Sequence, residues 1–377
     1  MNVHHRLSSH ATQNPFCDVV ISKRRLMPIG LFFAGLISAF FGQMTHAQNQ
    51  QAAPQTPTPQ DRAPRQPAQL PADGSFTVTT YNIENWRTHF LAYKLREQKL
   101  LPEAEANSEL LTQLREANDE DNWEISQVIR DPAVSPHILV FQEGCSQPDL
   151  EFFNRRWLDN MFETLIVFPS NTNRGQTVGV MLQPGFKVID RRDQYYQEPD
   201  TTDNPRGEKL FARGPSFILV ETPTGYRFWL GTTHQKSKSG NSAEVTAWRN
   251  REAIRTYHIM QELRKAGPAD VMLLGDFNDE LGIQEFEAEG GGDTVSNNLA
   301  PAGTPPADSL ILKTKSLVES NARSFGGYFR DRGGFIDHVV VTPEMETEVS
   351  DASVFISPVS RLASDHYPVT VKVTPKP

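Results

Sequence analysis

The residues in this chain that could do chemistry share one placement. Each is an acid, an amide or an imidazole at the end of an apolar run or at its start. Asn82 follows Phe76–Tyr81, in Thr80-Tyr-Asn-Ile-Glu-Asn85, and Glu143 follows Ile138-Leu-Val-Phe-Gln142. His234 follows Phe228-Trp-Leu-Gly-Thr-Thr233, with Lys236 and Lys238 close behind. Asp276 and Asn278 follow Val271-Met-Leu-Leu-Gly275, and Asp337 and His338 lie inside Gly333-Gly-Phe-Ile-Asp-His-Val-Val-Val341. Asp365 and His366 precede the last run, in Ala363-Ser-Asp-His-Tyr-Pro368. Any one of these reads as turn or cap chemistry. Together they do not, because turns favour Gly, Pro and Ser over carboxylate and imidazole.

Glu143, Asp276, Asp365, Asn82 and Asn278 are hard oxygen donors, and paired cysteines and His-x-x-x-His spacing are absent. That set suits Mg²⁺, with Mn²⁺ or Ca²⁺ as alternatives, rather than structural zinc. A dication beside two histidines and two lysines is equipment for phosphoryl chemistry: the ion neutralises an oxygen, a base activates water, and cations hold the developing charge. No Gly-x-x-x-x-Gly-Lys-[Ser/Thr] loop occurs, so NTP-driven work is not expected.

These residues need strands to hold them. Short or alternating apolar runs predict strands at Phe76–Tyr81, Ile138–Phe141, Leu165–Phe168, Val178–Leu182, Phe217–Glu221, Arg227–Thr233, Val271–Leu274, Ile336–Val341 and Val369–Val373. Helical patterns occupy Leu91–Glu116, Trp123–Arg130 and Ser242–Lys265, the last stopped by Gly267-Pro268. Tyr195–Lys209 and Gly290–Pro306 read as loops. Many strands with few helices suggest two packed sheets with helices outside.

In order and content the blocks resemble the endonuclease/exonuclease/phosphatase superfamily, the group of deoxyribonuclease I, and in style its exported bacterial nuclease-like members. The carriers are Thr80–Asn85, Phe141-Gln-Glu143, Thr232-Thr-His-Gln-Lys-Ser-Lys-Ser239, Leu274-Gly-Asp-Phe-Asn278, Phe335-Ile-Asp-His338 and Ser364-Asp-His-Tyr-Pro-Val369. The resemblance runs from about Ser75 to Val373 and implies a four-layered α/β/β/α sandwich of two packed mixed sheets, with the site at one edge. It implies roles as well. Glu143 and Asn82 would hold the metal, with Asp365 nearby. Asp276 would orient or deprotonate the attacking water, assisted by Asn278. His366, its ring fixed by Asp337, would contact the scissile phosphate, and His234 would stabilise the transition state or protonate the leaving oxygen. Arg174, in Asn171-Thr-Asn-Arg-Gly175, stands in a block that often presents a cation to phosphate; Arg213 could do so or serve a structural ion pair. Gly144 and His137 depart from the pattern, and the stretch Leu91–Asn122 is longer than is usual there.

Ahead of this domain, Lys23-Arg-Arg25 precedes an apolar run from Leu26 to Phe41, then Met44-Thr-His-Ala47. That is a secretory signal with cleavage after Ala47. The expected organisation is a signal peptide at 1–47, a Pro/Gln-rich tether at 48–74 and a catalytic domain at 75–377. Export to the periplasm or the extracellular space follows, with no stable membrane insertion once the signal is gone.

The chain has 377 residues, 37 Lys plus Arg and 46 Asp plus Glu, for a net charge of −9. Removing 1–47 takes four basic residues and one acid, leaving 33 positive and 45 negative, a net −12. It also removes Cys17, so Cys145 stands alone and is expected as a small buried residue without a disulfide. Charged residues at 22% and apolar ones at 38% exclude a polytopic membrane protein, a coiled-coil rod and a wholly disordered chain. The charge balance excludes coating nucleic acid by bulk positive charge. Three readings remain. The first is an exported nuclease or phosphodiesterase, monomeric, acting on nucleic acid. The second is a phosphatase or phosphodiesterase of small-molecule or lipid-headgroup esters, and the third a non-catalytic binding domain. The third is disfavoured because each reactive position keeps a competent side chain.

Overall fold

A computed structural model describes residues 68–96, 108–172, 174–201, 209–238, 242–283, 287–326 and 334–376. The expected signal peptide, the tether up to residue 67, the middle of the Leu91–Glu116 helix and most of the Tyr195–Lys209 loop lie outside the described residues. Ala68 N–H donates to Pro184 O at 2.7 Å, and Ala68 and Leu70 pack on the core. Contact with the domain therefore begins several residues before Ser75. No helix among the described residues is long and apolar enough to cross a membrane.

Twelve strands among the described residues form two mixed sheets of six. They are β1 Phe76–Asn82, β2 Ile138–Gly144, β3 Thr164–Val167, β4 Thr177–Leu182, β5 Lys187–Arg192 and β6 Ser216–Glu221. The others are β7 Arg227–His234, β8 Val271–Asp276, β9 Ile311–Leu312, β10 Asp337–Val341, β11 Ser353–Val354 and β12 Val369–Val373. The strand orders are β11-β12-β1-β2-β4-β3 and β5-β6-β7-β8-β10-β9. Each sheet has one parallel pair at its centre, β1–β2 and β7–β8, flanked by antiparallel strands.

The side-chain period of two sorts each strand into an inner and an outer face. Ile138 and Val140 turn into the core between the sheets with Val78, Val180, Leu230, Met272, Leu274 and Val339. Leu139 and Phe141 turn outward against Ile125, Val128 and Ile129 of α2 (Ser108–Arg130) and Leu150 and Phe153 of α3 (Gln147–Trp157). On the second sheet Trp229, Leu273 and Val340 cover Tyr257, Met260 and Leu263 of α4 (Ala243–Ala266). The order is helix, sheet, sheet, helix, as the motifs imply. Cys145 is buried in the first outer layer, 0% exposed.

The helical pattern at Trp123–Arg130 is the C-terminal end of the longer α2, which starts at Ser108, while the short α1 covers Leu91–Arg96. The Gly290–Pro306 loop contains a short helix, α5 (Thr294–Leu299), capped by the Asp293 side chain accepting from Val295 N–H.

Candidate active site

The pairing pattern brings the reactive residues to one edge. Parallel pairs carry Asn82 and Glu143 to the same end of the first sheet, and His234 opposite Asp276 at the same end of the second. Antiparallel pairing then brings the start of β10 alongside the end of β8, so Asp337 is in register with Asp276. The loop before β12 reaches that edge too: Ser364 Oγ donates to Asn82 O at 2.8 Å and accepts His366 N–H at 3.1 Å.

Two local devices aim the acids. The β2–β4 ladder slips between Phe141 and Gly144, and Glu143 takes a left-handed φ of 54°. A bulge of this kind re-aims a side chain. Gly144 belongs to it, since a Cβ there would lie 2.3 Å from the Phe141 ring. At Gly275 a Cβ would lie 2.0 Å from Thr233 O, so glycine lets β7 and β8 close together just before Asp276.

Asp276 is the hub. Its Oδ2 accepts Asn82 Nδ2 at 2.9 Å and lies 3.3 Å from His234 Nε2 and 3.9 Å from His366 Nε2. Its Oδ1 accepts Asn278 N–H at 2.7 Å. His366 Nδ1 donates to Asp337 Oδ2 at 2.8 Å, which leaves Nε2 facing Asp276 and Asp365, each 3.9 Å away. Glu143 Oε1 lies 4.0 Å from His234 Nε2. The expected set of Asn82, Glu143, His234, Asp276, Asp337, Asp365 and His366 is therefore gathered in one cluster.

The electrostatics of the cluster are uneven. Burial, reinforced by Asp337, pushes Asp276 up to about 7 against the pull of His366. Burial with Glu84, Glu143 and Asp276 pushes Asp365 up to about 7. For His366, burial disfavours the charged ring, but Asp337, Asp365 and Asp276 outweigh it and hold its pKa well above the usual imidazole value. His234 goes the other way: burial, and then Arg213, His366 and Lys236, lower it well below that value.

This donor set fits a divalent cation. Asn82 Oδ1 is buried without a hydrogen-bond partner, although its Nδ2 is engaged. An orphaned buried carbonyl oxygen among mutually repelling carboxylates is what a hard dication satisfies. Asp276, Asp337 and His366 also bring ligand atoms within 4.8 Å of one another and could hold a metal. Within that group the His366 Nδ1–Asp337 bond already commits one imidazole nitrogen and one carboxylate oxygen, while Asp337 Oδ1 has no partner.

Other expected residues are spent elsewhere. Asn278 Nδ2 donates to Gln235 O at 2.9 Å, so its side chain ties the β8 loop to the β7 loop. Lys238 Nζ is 2.7 Å from the buried Asp279 Oδ1, and Lys236 Nζ donates to Ser237 O at 3.2 Å. Arg174 is exposed on the loop before β4. Sequence reasoning missed Gln176 and Asn85, which bind the Glu143 carboxylate directly. The hint was that Asn85 closes the Thr80–Asn85 block and Gln176 follows directly on Asn171-Thr-Asn-Arg-Gly175.

Twin six-stranded sheets of this order, with acids, amides and two histidines at a shared edge, are the architecture that the resemblance of the motif blocks implies. No protein-family model and no curated protein matches the chain. Solved structures do. A truncated TDP2 from Caenorhabditis elegans is 14% identical, covers 80% of this chain and 98% of its own, with a TM-score of 0.49. A mannosyl-6-phosphatase from Bacteroides thetaiotaomicron is 16% identical, with coverages of 78% and 98% and a TM-score of 0.47. An endonuclease/exonuclease/phosphatase from Bacteroides vulgatus is 14% identical, with coverages of 80% and 99% and a TM-score of 0.48. The likeness is one of architecture, and chemistry has to be argued from the cluster itself.

Proposed function

We propose that the chain is an exported, Mg²⁺-dependent phosphoesterase that hydrolyses phosphodiester bonds, acting on nucleic acid as a monomer. The observation that carries the metal and the reaction class is the orphaned Asn82 Oδ1 among the acids of Glu143, Asp276 and Asp365. The basic stretch, apolar run and small residues before Gln48 support export.

Glu143 and Asn82 would hold the ion, with Asp365 beside them. When bound, the ion supplies charge neutralisation at a phosphate oxygen. The remaining work falls to the side chains. Asp276, pushed up to about 7, is poised to take a proton from water near neutral pH. Asp337 fixes the orientation of the His366 ring, accepting from its Nδ1–H. The raised pKa keeps His366 charged, so its Nε2–H serves as the cation on the scissile phosphate. His234 is held neutral and serves as a hydrogen-bonding partner rather than a proton source, which narrows the two roles the motif resemblance leaves open for it.

A small phosphate ester is the second reading. The net charge of −12 after signal removal favours it, as does the engagement of Lys238 by Asp279, which takes one cation away from a polyanion. Purified protein given Mg²⁺, Mn²⁺ or Ca²⁺ would be tested on plasmid DNA, RNA, bis-p-nitrophenyl phosphate and sphingomyelin. Nicked or shortened nucleic acid, abolished by EDTA, is the expected result. Turnover of small esters or sphingomyelin alone would favour the second reading, and undiminished activity in EDTA would sink the metal mechanism.

A further inference from the structure

We infer that Gln176 and Arg213 form a positioning relay that presents Glu143 to the metal through a single oxygen. The inference rests on the proposed metal site and concerns how its glutamate is held.

Glu143 Oε2 accepts two hydrogen bonds, from Asn85 N–H at 2.9 Å and from Gln176 Nε2 at 2.7 Å. A carboxylate oxygen offers about two acceptor directions, so Oε2 is filled. Oε1 is the oxygen that faces the cluster, 4.0 Å from His234 Nε2. Gln176, only 3% exposed, spends its other amide hydrogen on Asn85 Oδ1 at 2.8 Å. Its Oε1 accepts Arg213 Nη1 at 3.0 Å, and Arg213 Nη2 donates to Gln235 O at 3.4 Å, one residue past His234.

The polarity of this chain of bonds has only one solution. A guanidinium can only donate and a carboxylate can only accept. The Gln176 carbonyl must therefore face Arg213 and its NH₂ must face Glu143. Reversing the amide would set a carbonyl oxygen against a carboxylate and NH₂ against a guanidinium. Arg213 thus fixes the Gln176 amide, and Gln176 fixes the Glu143 rotamer on a backbone already swung out by the bulge. Arg213 touches neither of the reacting partners. Its Nη1 and Nη2 donate to Gln176 and the β7 loop while Nε is buried without a partner, and these contacts give it a positioning role where the sequence alone leaves open a phosphate contact or a structural ion pair.

The test is calorimetric titration of Mn²⁺ into the metal-stripped full chain, with a melting curve for every variant. Gln176→Leu and Arg213→Met should each weaken Mn²⁺ binding about 10- to 100-fold, the usual range for groups that orient a metal ligand. The double variant should bind no more weakly than Gln176→Leu alone, because Arg213 acts through Gln176. Arg213→Lys, which keeps one donor, should fall between wild type and Arg213→Met. Wild-type affinity in a folded Gln176→Leu, or additive losses in the double variant, overturns the relay alone. A wild-type chain that takes up no Mn²⁺ overturns the metal site and the relay with it. If neither Gln176→Leu nor Arg213→Lys melts as a folded protein, the residues support the fold and the proposal is wrong.

Discussion

Asp276 ends β8 and Asp279 stands three residues further on, 2% and 0% exposed, and the molecule handles their charges in opposite ways. Burial raises the pKa of Asp279, but Arg249 Nη2 at 3.2 Å from its Oδ2 and Lys238 Nζ at 2.7 Å from its Oδ1 overcome that and hold it below the usual carboxylate value. Asp276 has no Lys or Arg at ion-pair distance among the described residues, and burial leaves it near 7. Two histidines repeat the contrast. His338, 0% exposed between Phe277 and Phe335, donates from Nε2 to Asp279 O and so accepts from Thr314 Oγ1 at Nδ1. It is neutral and finished, with burial lowering its pKa. His366 is paired with Asp337 and looks onto two more acids. Charges that serve the fold are balanced inside the chain. The cluster at the sheet edge is short of cations, with Asp276 and Asp365 held near 7.

The largest effect expected on the functional side of that contrast is on turnover. Asp337→Asn should leave the fold and substrate affinity nearly intact while lowering kcat by about 10²–10⁴. His366→Ala should do the same, and the double variant should be little worse than His366→Ala, because the two act as one unit. Multiplicative losses in that kinetic cycle would mean independent roles.

On the structural side, Asp279→Asn strands Arg249, itself 1% exposed, without its anion. The expected loss is about 3–5 kcal/mol of stability, read by denaturant titration. Metal dependence of the surviving folded fraction should be unchanged. A variant as stable as wild type would erase the distinction between the two aspartates.

A smaller effect separates them by pH. Asp276 and Asp365 have folded pKa values raised to about 7, above their unfolded values near 3.8. Their contribution to stability is complete below about pH 3.8 and is lost as pH rises through about 7. His234, whose folded pKa is lowered, works against stability only below its ordinary value near 6.5. Between pH 6.5 and 8, in chelator, stability should therefore fall by about 1 kcal/mol per raised acid, and His366, whose folded pKa is raised above its ordinary value near 6.5, adds to the fall in the same direction. A flat or rising profile in that window would show the two acids already balanced.

Much of the fold was legible because both sheet faces are buried, as in Ile138-Leu-Val-Phe141, where successive residues feed two different cores. The elements that sequence reasoning passed over lack that signal. β5 is an edge strand with Lys187, Ile189, Arg191 and Arg192 exposed, and β9 and β11 are two residues each. α3 opens on Gln147-Pro-Asp149 and carries only Leu150, Phe153 and Trp157 as its apolar stripe, a signal too short to stand out, although Ser146 caps it by accepting Asp149 N–H. In the site, acids and imidazoles at strand ends announce themselves by type. An amide such as Gln176 does not, since its meaning lies in having Arg213 on one side and Glu143 on the other. Asn278 and Lys238 show the same limit: their types suit the chemistry, but the sequence does not give their partners, Gln235 O and Asp279.

The central claim is that the edge cluster is an unfinished charge arrangement which a dication completes, and thermal melting with and without metal tests it most directly. Excess Mg²⁺ or Mn²⁺ added to metal-stripped protein should raise the melting temperature, by an amount worth about 3–4 kcal/mol at 100 to 1,000 times the dissociation constant. Asp279→Asn should keep that gain, and Glu143→Gln should lose most of it. No shift in the wild-type protein, or an equal shift in Glu143→Gln, would contradict the account.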